Sequence, residues 1–326
     1  MSATHPSAEV NPHWLDPEAY LGLLNQAFPG QWTRTAYDWY IARPFAGVAS
    51  DIVALTEGRR VLAGMALCHR EVIIGLADRI RVRVICAAAT LPDERGRGHY
   101  GRLLGAAREH CIEQGYAALL AFVTRDNISA RGLLSRGAHA IPSFYITSTR
   151  HARLRKPVRG VRAKVHATFR RPAARPVRIG ADLLARAAEN GASPSESRTP
   201  VARFYYGCTE DWRRQFLCRP HDVQVIRLAH DCTALLETVG STDRLQWLAC
   251  PHGKASRCLA TLAKASAAAG HEFFMYTLDP VLAGAARRAR LTIRPGYFML
   301  WATGQRPSEW HTLVNASWCL QSGDRV

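Results

Sequence analysis

Residues 92–104 read Pro-Asp-Glu-Arg-Gly-Arg-Gly-His-Tyr-Gly-Arg-Leu-Leu. Gly96, Gly98 and Gly101 punctuate a turn that opens a helix, because Leu103, Leu104, Ala107, Cys111 and Ile112 recur at helical spacing up to Gly115. A glycine-rich turn at a helix start aims several backbone N–H groups and the positive end of the helix dipole at one point. That is a cradle for a pyrophosphate. The Gly-x-Gly-x-x-Gly spacing also fits a dinucleotide site, but there the first glycine follows the first strand directly and an acid about 20 residues on takes the ribose. Here Pro92 to Arg95 intervene, three strand-like runs come earlier, and the nearest acid at a strand end, Asp126, lies 25 residues beyond Gly101. Arg95 and Arg97 beside the glycines suit a more highly charged ligand than a nicotinamide dinucleotide.

The elements that must position this loop can be read from periodicity. Leu15, Tyr20, Leu23, Leu24 and Phe28 fall near a helical period, with Asp16 as N-cap before Pro17. A second short helix around residues 35–45 ends at Pro44. Residues 51–57, 60–74 and 79–91 are strand-like, the last alternating Arg79, Arg81 and Arg83 with apolar residues before becoming small and apolar, which predicts one half-exposed and one buried end. After the loop and its helix come a buried strand (116–124), a short helix capped by Asn127, and a closing strand (140–150).

A chain of 326 residues suits two domains of about 100–200 residues each. The order of elements repeats. A strand (176–181) and a helix (182–190) precede residues 210–220, where Trp212 and Pro220 echo Trp39 and Pro44. Two further strands, a loop-helix segment (248–270), a strand (272–279), a helix (280–289) and a strand (295–304) complete a weak second copy. The domains expected are therefore 1–149 and 175–326, joined by a connector at 150–174, both of mixed α/β class. From Arg150 to Arg178 the chain carries eleven Lys or Arg and no acid. Phe169 alone interleaves an aromatic in the connector, so nucleic-acid binding is not expected.

With 48% hydrophobic and 21% charged residues the composition is globular, and the net charge of +17 favours an anionic partner. Nine scattered cysteines, none in C-x-x-C, point to free thiols and away from disulfides or structural zinc. No run reaches the roughly 18 apolar residues of a membrane helix, and the N-terminus lacks a signal pattern, which predicts a cytoplasmic chain without membrane partners. No H-E-x-x-H, P-loop lysine or nucleophile elbow occurs, so metal, nucleotide-hydrolysis and covalent chemistry have no support.

The element order, together with residues 92–104, resembles the GNAT superfamily of acyltransferases, whose motif is R/Q-x-x-G-x-G/A between a long strand and a helix. Arg95 and Gly98 match the first and fourth positions. Tyr100 departs from the small residue usual at the sixth. The likeness covers most of residues 15–149 and, more faintly, 175–304. It implies an N-acyltransferase using acetyl-CoA, with a pyrophosphate site at Arg95, Gly96, Arg97, Gly98, His99, Tyr100 and Gly101. It also implies a pantetheine-binding strand including Ala89, Thr90 and Leu91, and cofactor contacts near Asn127 and Ala130. The second copy has a single loop glycine, Gly253, and no R-x-x-G core, so it is expected not to bind coenzyme A. The chain is thus similar to tandem acyltransferases with one degenerate unit. The segment 317–324 is similar to a stretch in such proteins, although a final edge strand is equally compatible.

Acyl transfer to an amine needs a neutral amine, a stabilised carbonyl oxygen and a proton for the leaving thiolate. Leu134 stands where many family members carry a tyrosine acid. The substitutes are Tyr145, His139, Cys86 and Glu94, with Tyr145 and His139 carried forward as catalytic candidates. The expected reaction is direct attack of a small primary amine, such as an amino sugar or biosynthetic intermediate, in a ternary complex. Two alternatives are a longer acyl chain delivered by an acyl carrier protein, and a non-catalytic binding protein that keeps the fold.

Overall fold

The computed structural model describes residues 7–13, 15–28, 32–75, 78–148, 201–229 and 231–325. The expected connector, the strand at 176–181 and the helix at 182–190 lie outside the described residues. β1 (Ala8–Val10), which periodicity does not announce, pairs with β2 (Asp51–Glu57). α1 (Pro17–Ala27) begins as expected: Asp16 accepts from the Ala19 N–H at 2.7 Å and Pro17 occupies the first turn. α2 (Arg34–Tyr37), capped by Thr33, runs on as a π-helical turn over Asp38–Ala42. Then follow β3 (Arg60–Ile74), β4 (Asp78–Thr90), a 3-10 turn at Pro92–Glu94, α3 (His99–Glu113), β5 (Ala118–Thr124), α4 (Ile128–Leu134) and β6 (His139–Thr147).

The second half repeats this order. β7 (Val201–Phe204) and α5 (Thr209–Phe216) lead into β8 (Val223–Ala229), β9 (Cys232–Val239) and β10 (Thr242–Ala249). A 3-10 turn at His252–Lys254, α6 (Ala255–Ala268), β11 (Glu272–Thr277), α7 (Pro280–Arg288) and β12 (Thr292–Ala302) match the loop, α3, β5, α4 and β6. α8 (Pro307–Asn315), unanticipated, and β13 (Ser317–Trp318) close the chain.

The strands form one sheet in the order β1-β2-β3-β4-β5-β12-β6-β11-β10-β9-β8, with β7 and β13 paired off this path. β4–β5 and β10–β11 are parallel, and the other pairs along the path are antiparallel. The centre shows a reciprocal exchange. β12 lies between β5 and β6, and β6 lies between β12 and β11, so β12 is inserted beside a strand of the first half and β6 beside a strand of the second. The cores follow: Phe298, Met299, Leu300 and Trp301 of β12 pack in the N-terminal cluster, and Ile146 of β6 packs in the C-terminal one. The half-exposed end of β4 holds at Arg79 and Arg81, which are exposed beside buried Ile80 and Val82, and Arg83 is the exception. It is buried, bridges to Asp51 at 2.5 Å and donates to the carbonyls of Ala49 and Leu67. Among the described residues no helix is long and apolar enough to cross a membrane.

Candidate active site

The parallel register of β4 and β5 ends at Ile85–Ala121. Beyond it β4 bulges: its register against β3 shifts between Gly64–Ala89 and Ala66–Cys86, and Ala87 adopts a left-handed φ of 48°. The extra residue turns the end of β4 away from β5 and opens a cleft between Cys86–Thr90 and Phe122–Thr124. The bulge is braced from α1. Tyr20, fully buried, donates its hydroxyl to the Ala87 carbonyl at 2.9 Å, and its ring occupies the space that a side chain on Gly64 would need. Burial holds the Tyr20 phenol well above its ordinary pKa, so it remains a donor.

At the mouth of this cleft the glycine loop has the shape its sequence requires. Gly96 has φ 82° and Gly98 φ 76°, both in the left-handed region that glycine tolerates, and Gly98 is the residue from which α3 starts. Gly101 and Arg102 donate to the Gly98 carbonyl, whereas the N–H groups of Arg97, Gly98, His99 and Tyr100 find no acceptor among the described residues. Side chains placed on Gly96 or Gly98 would project into open space. Four donors without an acceptor among the described residues, gathered at a helix start, fit a pyrophosphate.

The loop is pinned from beneath by Glu94, buried at 6% exposure. It meets Arg97 at 3.0 Å, His99 Nε2 at 3.1 Å and Arg60 at 3.6 Å. Arg95 reaches away from Glu94, to the Ala27 carbonyl at 3.5 Å. Tyr100 packs its ring on Gly132 of α4, filling the room left by a glycine there, while its backbone N–H stays at the loop. Ala89 and Leu91 are buried, and Ala89 and Thr90 are held in register against Gly64 and Ala63 of β3. Asn127 caps α4 by accepting from the Ser129 N–H, and Ala130 is buried beneath it.

The acid–base candidates separate. Tyr145 is buried on β6 and leans across Gly296 of β12, which pairs with Thr124 at the cleft end of β5. Desolvation raises its pKa, keeping the phenol protonated. His139 is exposed at the opposite end of β6, opposite Leu300, four residues from Ser143, which aligns with Gly296. The fold does not bring it to the cleft. Leu134 is 43% exposed at the end of α4 and lies outside the core. Cys86, beside the bulge, has its sulfur 3.0 Å from that of Cys68 on β3. That contact lowers the Cys68 pKa to about 6, with Arg70 and Arg83 nearby, and raises the Cys86 pKa well above normal.

Sequence reasoning missed the bracing Tyr20, the partner thiol Cys68 and a charged cluster where the halves meet. Alternation puts Ala66, Cys68 and Arg70 on one face of β3. Tyr206 and Asp324 from the second half stand beside Arg70, and Tyr206 donates to Asp324 at 2.6 Å. Only their distance along the chain hid them.

The second half has the same splay without the site. β10 and β11 part after Leu245–Met275, and β10 bulges between Leu245 and Trp247. The C-terminal segment fills this opening: Gln321 accepts from the Leu248 N–H at 2.7 Å, and Ser322 bonds the backbone of Tyr276. Gly253 does not take a left-handed φ, so its turn makes no anion nest.

The sequence profile of the Acetyltransferase (GNAT) family matches residues 18–138. A GCN5-related N-acetyltransferase from Kribbella flavida superposes over 92% of this chain and 72% of its own, at TM-score 0.51 and 15% identity. A protein of unknown function from Enterococcus faecalis, described as a probable N-acyltransferase, gives 90%, 71%, 0.51 and 10% for the same measures. A tandem GNAT protein from the clavulanic acid biosynthesis pathway covers 91% of this chain and 99% of its own, at TM-score 0.56 and 16% identity. No curated protein matches the sequence. Residues 18–138 are a GNAT domain, and the whole chain has the fold of a tandem GNAT protein. The family supports N-acyltransferase activity in general terms.

Proposed function

We propose that the chain is a cytoplasmic N-acyltransferase that moves an acetyl group from acetyl-CoA to the primary amine of a small molecule, with one working cleft in residues 1–149 and a non-catalytic second unit in 175–326. The observation that carries this is the pair of left-handed glycines, Gly96 and Gly98, whose loop faces open space with four free N–H groups beside the braced bulge at Ala87. The backbone of Arg97 to Tyr100 holds the pyrophosphate, and Ala89 to Leu91 lie along the pantetheine arm. Acetyl-CoA, when bound, supplies the activated thioester.

The protein contributes position and protons. The unpaired edge of β4 orients the donor, and Tyr20 fixes the bulge that exposes that edge. Tyr145, protonated in its desolvated place, donates to the departing thiolate, while the Cys68–Cys86 couple accepts the proton that the attacking amine sheds. Attack is direct, in a ternary complex. The acyl-carrier alternative rests on the basic stretch at 150–178, outside the described residues. Release of coenzyme A thiol with acetyl-CoA and a panel of primary amines tests the reading: amine-dependent release supports it, and amine-independent hydrolysis or none in a protein that binds acetyl-CoA refutes it.

A further inference from the structure

Tyr145, the acid of the proposed reaction, belongs to the first half, but Gly296, Tyr276, Phe274 and Arg325 around its ring come from the second. Gly296 of β12 leaves the room the ring fills. A β-carbon there would collide with the Tyr145 ring and stand 2.9 Å from the Val123 carbonyl of β5, so the phenol leans from β6 toward the cleft. β11 supplies Tyr276, opposite Tyr145 in register and edge-on to it with ring centres 5.1 Å apart, and Phe274 at 6.3 Å. A cation comes from the C-terminal segment. Arg325 places its guanidinium carbon 5.0 Å from the Tyr145 ring centre, 5.1 Å from that of Tyr276 and 5.8 Å from that of Phe274.

Each residue leading to Arg325 is fixed. Gln321 accepts from the Leu248 N–H at 2.7 Å, and Ser322 Oγ accepts from the Tyr276 N–H at 2.5 Å. The Phe216 ring and the Gln246 carbonyl occupy the space beside Gly323 that a side chain would need. Asp324 is engaged by the Tyr206 hydroxyl at 2.6 Å and the Gln321 N–H at 2.7 Å. Arg325 Nε is buried with no hydrogen-bond partner among the described residues, so the rings are what hold this guanidinium. Aromatic faces within about 6 Å attract a cation through their quadrupoles, and the attraction grows as water is excluded. The cation acts back on the phenol by favouring its ionised form. Burial raises the Tyr145 pKa, and the Arg325 charge opposes that rise. The other charged groups near Tyr145 are Arg294, opposite it on β12, and Asp324, which acts on the adjoining Tyr276.

We infer that Arg325 is a positioning residue of the first half's active site: it stabilises the phenolate left when the Tyr145 O–H bond breaks and the proton passes to the coenzyme A thiolate sulfur. Solvent later returns the proton. The inference rests on the N-acyltransferase reading for the identity of the thiolate. It makes the second unit, which holds no donor under that reading, the source of a charge on which the acid of the first depends.

The test uses the full chain carrying 3,5-difluorotyrosine at position 145, a phenol acidic enough to titrate while the protein stays folded, followed by fluorine NMR. Thiol-release kinetics are run beside it on unlabelled protein. Arg325→Met and Arg325→Gln remove the charge with and without an apolar end, Arg325→Lys keeps it, and Arg294→Met removes the cation on the neighbouring strand. The titration midpoint is expected to rise by at least about half a pH unit in Arg325→Met and Arg325→Gln, to return part of the way in Arg325→Lys, and to move less in Arg294→Met. In the two neutral variants kcat should fall about tenfold with KM for acetyl-CoA unchanged. Melting temperatures identify the variants that remain folded. A midpoint unmoved in a folded neutral variant overturns the inference, and so does a moved midpoint with kcat unchanged. A moved midpoint in a protein that never shows amine-dependent release removes the acyltransferase reading and leaves the coupling of Arg325 to Tyr145 standing.

Discussion

Gly98 combines a left-handed φ of 76° with open space in front of its α-carbon, so a side chain there is opposed by the backbone and by any ligand, and by no neighbour among the described residues. Gly98→Val should therefore lose acetyl-CoA affinity by at least about 100-fold while costing only about 1–3 kcal/mol of stability, which calorimetry and chemical denaturation separate. Tyr145→Phe removes one hydroxyl from a packed ring. The expected result is a fall in kcat of about 100-fold with KM for acetyl-CoA unchanged, measured by thiol release. The loop was legible at this scale because glycine spacing reports directly on φ and on helix starts. Tyr20, Cys68 and Arg70 were not legible. Each reads in sequence as ordinary helix or strand filling, and only the bulge at Ala87 and the junction with Tyr206 and Asp324 give them partners.

Elements obeyed their periodicity. Asp16, Asn127 and the apolar runs located α1, α4 and β2 to β6, because local patterns carry local structure. α8 and the cleft-filling tail escaped, since Gln321 and Ser322 act by bonding strands far away in the chain. The tail also carries a pH dependence. Burial raises the Asp324 pKa to about 6, against an ordinary value near 3.9. The native state thus binds this proton more tightly than the unfolded chain. The resulting stabilisation is full below about pH 4 and lost as pH rises through about 6, a change on the order of 3 kcal/mol. Asp324→Asn should flatten that part of the stability profile in denaturation measured at pH 4.5 and pH 7.

The exchange of β6 and β12 binds the halves into one sheet, and no pattern within either strand distinguishes its own half's β5 or β11 from the other's. Sequence therefore announced two units but not their interlocking. It follows that residues 1–148 expressed alone leave β5 without β12 and β6 without both β12 and β11, exposing their unpaired edges. Such a fragment should aggregate or remain unfolded by size-exclusion chromatography and circular dichroism, and co-expression with residues 201–326 should recover soluble protein. The two halves differ at their splays: the second is occupied by the C-terminal segment and its turn lacks the left-handed glycines, so under the proposed function the donor is held by the first.

The central claim is a single donor site in the N-terminal cleft, and titration of the whole chain with acetyl-CoA tests it most directly. Run by calorimetry in modest and in high salt, it should give one saturable site per chain that survives the salt and disappears in Gly98→Val, because the site is a set of backbone donors and not a diffuse positive surface. Two sites per chain, binding abolished by salt, or a site indifferent to Gly98→Val would contradict it.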